Sequence, residues 1–309
     1  IQALNELDSS GKLQIRQSVC LPVFSLEDAS RKLDLSKSLG ASEFLNFVGF
    51  KLFLDGSGYG RTAWMKKEWN RDFNTTDKGN FGFPLWKIEE FRRVLDYLAG
   101  HLEESMIDIH TIGDQAIETA LTEIARIKLI NPKLKFSLIH VYSPDDRQLD
   151  LIKQLDVQIE FQSPFLYFYG DLMADNLGRE RLRRFMRAKS FFNLEIMAAN
   201  SSDSPVVPFA PVYGIYSSMF RETRSDFPEA QLFNPDERVS FEEALALYTR
   251  NAAECAGRKD LGTLDKGKRA DFVVWNKALE DLRGKQRLEG NVIATFVGGR
   301  KVFARETSF

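Results

Sequence analysis

The residues predict a parallel α/β fold, and two observations carry that reading. Through most of the chain, apolar and β-branched runs alternate with amphipathic runs of helical spacing, six strand-then-helix units in succession. That is the rhythm of a sheet whose strands are joined by crossover helices. After Gly257 the rhythm stops, and "LGTLDKGKRADFVVWN" and "NVIATFVGGRKVFARE" read as short β segments joined by Gly and Lys turns. The chain is therefore expected to have two parts, a barrel-like domain over residues 1–257 and a segment of a small β module over residues 258–309.

In chain order, "IQALNELDSS" resembles the tail of a helix, and "GKLQIRQSVCLPVF" is strand-like. "SLEDASRKLDLSKSL" has helical spacing, with Ser25 as the cap and Glu27 and Asp28 in the first turn. "FVGFKLFLDG" is a buried strand, followed by a long polar and aromatic loop to Pro84 and the amphipathic helix "PLWKIEEFRRVLDYLAGH". Strand "MIDIHTIG" leads to helix "DQAIETALTEIARIK", and strand "KFSLIHVY" to helix "SPDDRQLDLIKQL", with Ser143 as its cap and Pro144 in its first turn. Strand "VQIEFQSPF", a basic helix around "RERLRRFMRAKSFF", strand "LEIMAANS" and helix "SFEEALALYTRNAAECAG" complete the series.

Composition narrows the function. The 309 residues carry a formal net charge of −2, which gives no electrostatic case for nucleic acid or a membrane surface. No apolar run approaches the roughly 18 residues that span a bilayer. Cys20 and Cys255 read as reduced structural thiols rather than a disulfide or a cysteine zinc site. No nucleophile elbow, Walker motif, complete dinucleotide fingerprint or H-E-x-x-H is present.

In parallel barrels the chemistry collects at the carboxyl ends of the strands, where the loops form the open face. Four polar residues close or interrupt apolar runs in this way: Lys51, His110, His140 and Asp203. A polar group there is costly unless paired or ligated, and two imidazoles with a carboxylate suit zinc or a similar ion. Taken singly, each has a plainer explanation. A lone strand-end histidine is more often a satisfied buried side chain, Asp203 suits a turn, and Lys51 suits a snorkelling or ion-paired lysine. His101, near a helix end, reads as a surface residue favoured by the helix dipole.

The order of motifs resembles the amidohydrolase superfamily, in particular amidohydrolase family 3, the branch of YtcJ-like proteins and N-substituted formamide deformylase. The matching stretches are "KLFLDGSGYGRTAW", "IHTIGDQA", "LIHVYSPDD", "FQSPF", "SSDSPV", "NPDERVSFEEALALYTRNAAECAG", "LGTLDKGKRADFVVWN" and "VGGRKVF". The resemblance implies a (β/α)8 TIM-type barrel with a small β-sandwich, and a metal-dependent hydrolase of C–N bonds in amide, N-formyl or cyclic amide substrates. It places Lys51 on barrel strand four, His110 on strand five, His140 on strand six and Asp203 at the end of strand eight. Lys51 is then a bridging ligand as a carbamate, the histidines hold one or two divalent ions (zinc), and Asp203 ligates metal and moves the proton. Arg61, Asp114 and Gln162 match positions near the site, for substrate or supporting contacts. It further implies a small-molecule substrate, a cytoplasmic location and a homodimer.

The family's His-x-His is absent from these residues. Counting back from strand four, the chain starts just before strand three, so a partial barrel of strands three to eight is expected, with the C-terminal part of the sandwich. As a fragment it belongs to a longer metal-dependent hydrolase, and alone it is expected to be inactive. As an entire protein it is an incomplete relative, a scaffold or a small-molecule binder using the aromatic loop 64–86, with open sheet edges.

Overall fold

The structure is a computed structural model that describes residues 2–39, 42–70, 78–224, 233–276, 278 and 292–305. Two compact units are present. One comprises Ile1–Glu160, Met173–Arg187 and Phe191–Met197, the other Phe161–Leu172, Ala188–Ser190 and Ala198–Phe309. Of the expected aromatic loop, residues 71–77 lie outside the described residues.

The strands of the expected partial barrel are β1 (Gln17–Pro22), β2 (Leu45–Phe53), β3 (Met106–Thr111), β4 (Lys135–His140), β5 (Val157–Phe161) and β6 (Ala198–Asn200). They form one sheet in the order β1-β2-β3-β4-β5-β6, and the pairs from β1 through β5 are parallel. Sequential order with parallel pairing is what strand–helix–strand crossovers produce. A separate antiparallel sheet holds β7 (Phe272–Trp275), β8 (Val292–Val297) and β9 (Arg300–Ala304). No helix among the described residues is long and apolar enough to cross a membrane.

Alternation along β2 to β5 separates the sheet's two faces. Phe50, Leu52, Ile107, Ile109, Phe136, Leu138 and Ile159 are fully buried. The residues between them, Lys51, Asp108, His110, Gln158 and Glu160, keep partial exposure. The apolar face is covered by helices such as α3 (Ile88–His101) and α4 (Asp114–Ile130), whose own stripes Phe91, Val94, Leu95 and Leu98, and Ile117, Leu121 and Ile124, are buried.

Several helix boundaries follow the sequence. After α1 (Gln2–Ser9), α2 runs Leu26–Lys37 with the Ser25 hydroxyl accepting from the Asp28 backbone N–H, as expected. Others depart from it. The helix after β4 is α5, Asp146–Gln154, and its cap is Asp145, in a reciprocal capping box with Gln148. Ser143 instead donates to the Arg181 carbonyl at 3.0 Å. The basic segment is not one helix: α6 spans Pro164–Leu182, with a break at Gly178 (φ 73°), and α7 spans Ala188–Asn193. The helix α8, Pro211–Phe220, was not expected. The last expected helix is two, α9 (Phe241–Tyr248) and α10 (Arg250–Cys255), divided at Thr249, whose ψ of −97° is not helical. Strand β6 is only three residues of the expected "LEIMAANS".

Candidate active site

Strand register places the candidate residues row by row. Lys51 on β2 pairs with Asp108 on β3, which pairs with Ser137 on β4. One row nearer the carboxyl ends, Phe53 pairs with His110, and His110 with Ile139. His140 is the next residue on β4, so strict alternation would turn it away from His110. It does not, because His140 has φ 83° and Val141 φ 46°, and the end of β4 is twisted out of the strand conformation. The two rings meet edge to face with centroids 4.5 Å apart. A β-branched residue at positive φ is a true outlier, and such strain collects at functional sites at a cost of order 1–3 kcal/mol per residue. Imidazoles this close can converge on one point.

His110 is held by Asp55, whose role the sequence reading missed. Asp55 follows β2 and is 1% exposed. Its Oδ1 lies 3.1 Å from His110 Nδ1 and accepts the Ile112 N–H at 3.0 Å. Its Oδ2 accepts the N–H groups of Gly113 at 2.8 Å and Trp64 at 3.0 Å. Gly113 is required there, since a Cβ would stand 1.9 Å from the Trp64 carbonyl oxygen. The signal was available: Asp55 closes "FKLFLDG" before a glycine much as His110 closes "MIDIHTIG".

Lys51 lies on the same polar face as a group of half-buried acids. Its Nζ is 5.5 Å from the centre of the Phe53 ring, which is 5.8 Å from the His110 ring. Burial pushes the Asp108 carboxyl up and the Cys20 thiol up, the latter reinforced by Asp108. Burial, with the Asp108 carboxylate, pushes Glu160 up to about 7, although the Ser137 hydroxyl donates to it at 3.3 Å.

The other candidates are distributed as follows. Arg61 (φ 54°) donates from Nη2 to the Asn70 carbonyl at 2.6 Å and packs its guanidinium 5.9 Å from the Trp69 ring centre. Asp114, at the start of α4, accepts the Lys66 N–H at 2.8 Å and helps line a cavity of about 600 Å³ with Lys66, Trp69, Asp145 and Arg181. Both brace the loop between β2 and α3. In the second unit, Gln162 donates to the Ser201 hydroxyl at 2.9 Å, two residues before Asp203. Asp203 itself is exposed, at φ 52°, in the turn after β6. Among the described residues, no group of three or more His, Cys, Asp or Glu side chains is placed to hold a metal ion. The donor set that these residues bring together is the imidazole pair, which suits zinc and similar ions.

Comparison with known proteins gives the family. A profile described as the amidohydrolase family matches residues 1–303. Protein LONG AFTER FAR-RED 3 of Arabidopsis thaliana is 29% identical over 96% of this chain and 49% of its own length. Putative amidohydrolase YtcJ of Bacillus subtilis is 26% identical over 89% of this chain and 49% of its own. N-substituted formamide deformylase of Arthrobacter pascens is 26% identical over 62% of this chain and 35% of its own. The crystal structure of an uncharacterized metal-dependent hydrolase from Pyrococcus furiosus superimposes with a TM-score of 0.71 at 29% identity, covering 87% of this chain and 52% of that one. The chain thus spans about half the length of the curated relatives it matches. With the parallel sheet, its separate small antiparallel sheet and the strand-end histidines, the match over 1–303 settles the grouping: the chain belongs to the amidohydrolase family.

Proposed function

We propose that this chain forms part of a metal-dependent hydrolase of C–N bonds, acting on an amide, N-formyl or cyclic amide carbon. The observation that carries the reading is the imidazole pair, His110 and His140, brought to 4.5 Å at adjacent strand ends with strained backbone behind one ring and a buried carboxylate behind the other. The family and its metal-dependent hydrolase neighbour support it, and the N-substituted formamide deformylase relative supports the substrate class.

In this reading His110 and His140 would hold a divalent ion, zinc, with Lys51 and Asp203 as further ligands. Such an ion, when bound, would supply Lewis acidity to the scissile carbonyl and would acidify a water. Asp203 takes a proton from the attacking water and returns it to the departing amine nitrogen, which makes that nitrogen a competent leaving group. An ammonium has no lone pair to offer, so Lys51 would ligate as an unusually neutral amine or, in this reading, as a carbamate. That form needs carbon dioxide at a neutral amine and releases one proton. Gln162, Arg61 and Asp114 orient the substrate or brace the loops around it. The reading divides the chain at 257, takes a small molecule as substrate, and places a homodimer in the cytoplasm.

The rival reading is a family relative without catalysis, a scaffold or a small-molecule binder. Metal analysis of the purified full-length protein separates the two. Stoichiometric zinc, manganese or iron supports the hydrolase, and a folded protein with none sinks it.

A further inference from the structure

We infer that Asp55 is the positioning residue that decides which nitrogen of His110 faces the metal, and that this nitrogen is Nε2. The inference rests on the reading of His110 as a ligand, but its argument is a count of hydrogen-bond donors. Four N–H donors or potential donors surround the Asp55 carboxylate: Ile112 N and His110 Nδ1 at Oδ1, and Gly113 N and Trp64 N at Oδ2. An ionised carboxylate has about four acceptor positions and no donor, so the set is matched only if Nδ1 carries a hydrogen. The neutral imidazole then has its lone pair on Nε2, the form in which a histidine ligates through that atom. A carboxylate behind the ring also raises its basicity toward a metal.

Asp55 also joins the two sides of the rim. Trp64 lies in the loop after β2, while Ile112 and Gly113 follow β3, and the Trp64 carbonyl accepts the N–H groups of Gln115 at 3.2 Å and Ala116 at 3.3 Å. Three of the four donors facing Asp55 are therefore backbone amides in fixed segments. They cannot change their hydrogen. Only His110 can.

This makes Asp55→Asn informative. An asparagine offers acceptor positions on its oxygen and only donors on its nitrogen, so it cannot serve two donors at each end. With its oxygen kept toward Gly113 and Trp64, its NH2 faces His110, which responds by moving its hydrogen to Nε2. The nitrogen that would hold the metal is then blocked.

The experiment is two-bond 1H–15N correlation NMR of the histidine rings in the full chain, metal-free and above the titration range of the imidazoles. Only three histidines contribute, and His110→Gln assigns the signal. The expected wild-type spectrum has His110 protonated on Nδ1; protonation on Nε2 overturns the inference. In Asp55→Asn the hydrogen is expected on Nε2, and zinc affinity, read by competition with a chromophoric chelator, is expected to fall roughly 10–100-fold. An unchanged tautomer and affinity in that variant also overturn it. If wild-type protein takes no zinc, the metal reading fails while the tautomer still decides the role of Asp55. The wild-type spectrum needs no variant, so a poorly folding Asp55→Asn leaves the question decidable.

Discussion

The two faces of the parallel sheet in the first unit are made from alternate residues of the same strands and follow opposite rules. On one face Phe50, Leu52, Ile107, Ile109, Phe136 and Leu138 are fully buried, and each removes apolar surface from water at about 25 cal/mol per Å². On the other, Lys51, Asp108, Gln158 and Glu160 sit half-buried, with His110 at the rim. Burying ionisable groups opposes folding unless they are paired. The first face stabilises the fold, and the second is tolerated because that stabilisation exceeds its cost. Substitutions on the two faces should accordingly separate stability from metal binding.

The largest effect is expected on the apolar face. Leu52→Ala and Ile109→Ala, each removing a fully buried side chain, should lower stability by about 2–5 kcal/mol in urea unfolding. A loss under about 1 kcal/mol at both would break the distinction, since the face would then be dispensable. On the rim, His110→Ala and His140→Ala should each abolish stoichiometric zinc, a loss of roughly 100-fold or more in affinity, about 2.7 kcal/mol. The far-ultraviolet circular dichroism should be nearly unchanged. Loss of helical signal in either variant would make that histidine a structural residue.

Much of this separation was legible in the residues. Period-2 alternation and strand-end polar residues located His110 and His140, because a polar group that ends an apolar run shows in composition alone. The cap of α2 was legible for the same reason, Ser25 with acidic residues in the first turn. What was hidden depends on long-range partners. Ser143 and Asp145 are both good caps, and the choice between them was made by the Arg181 carbonyl that engages Ser143. The break at Thr249 carries no Gly or Pro to announce it. Asp55 gains its four partners from segments up to 58 residues away. His140 was legible as a candidate, but the backbone twist that turns its ring toward His110 was not.

Glu160 sharpens the account of the polar face. Its carboxyl is held up at about 7, from an ordinary 4.5, by burial and by Asp108. A folded-state value above the unfolded one means the native protein binds the proton more tightly. This acid therefore imposes no penalty below about pH 4.5, and an increasing one as pH rises toward 7. Glu160→Gln cannot ionise and keeps an acceptor for Ser137. The variant should nearly match wild type at pH 4.5 and exceed it at pH 8 by up to about 3 kcal/mol. A variant less stable than wild type at pH 8 would show that the Glu160 anion is a favoured partner on this face.

The smallest effect, and the opposite sign, belongs to Asp260 in the second unit. Hydrogen bonds from Arg258 at 2.9 Å, and then from Arg269 at 2.6 Å, hold its carboxyl well below the usual carboxylate range. A lowered folded-state value means the stabilisation is present above the unfolded pKa near 3.8 and is lost as pH falls through the folded one. The side chain is 37% exposed, so solvent screens the pair interactions and the contribution should be only about 0–1 kcal/mol. Asp260→Asn should therefore cost little at pH 7, progressively less as pH falls below about 3.8, and less at 1 M salt than at low salt, in thermal unfolding scans. Glu160→Gln should be far less sensitive to salt, since buried charges are screened much less. Equal salt dependence at the two carboxyls would remove burial as the reason for their opposite shifts. Neighbouring charge would then be the whole cause: Asp108 raising one, two guanidinium groups lowering the other.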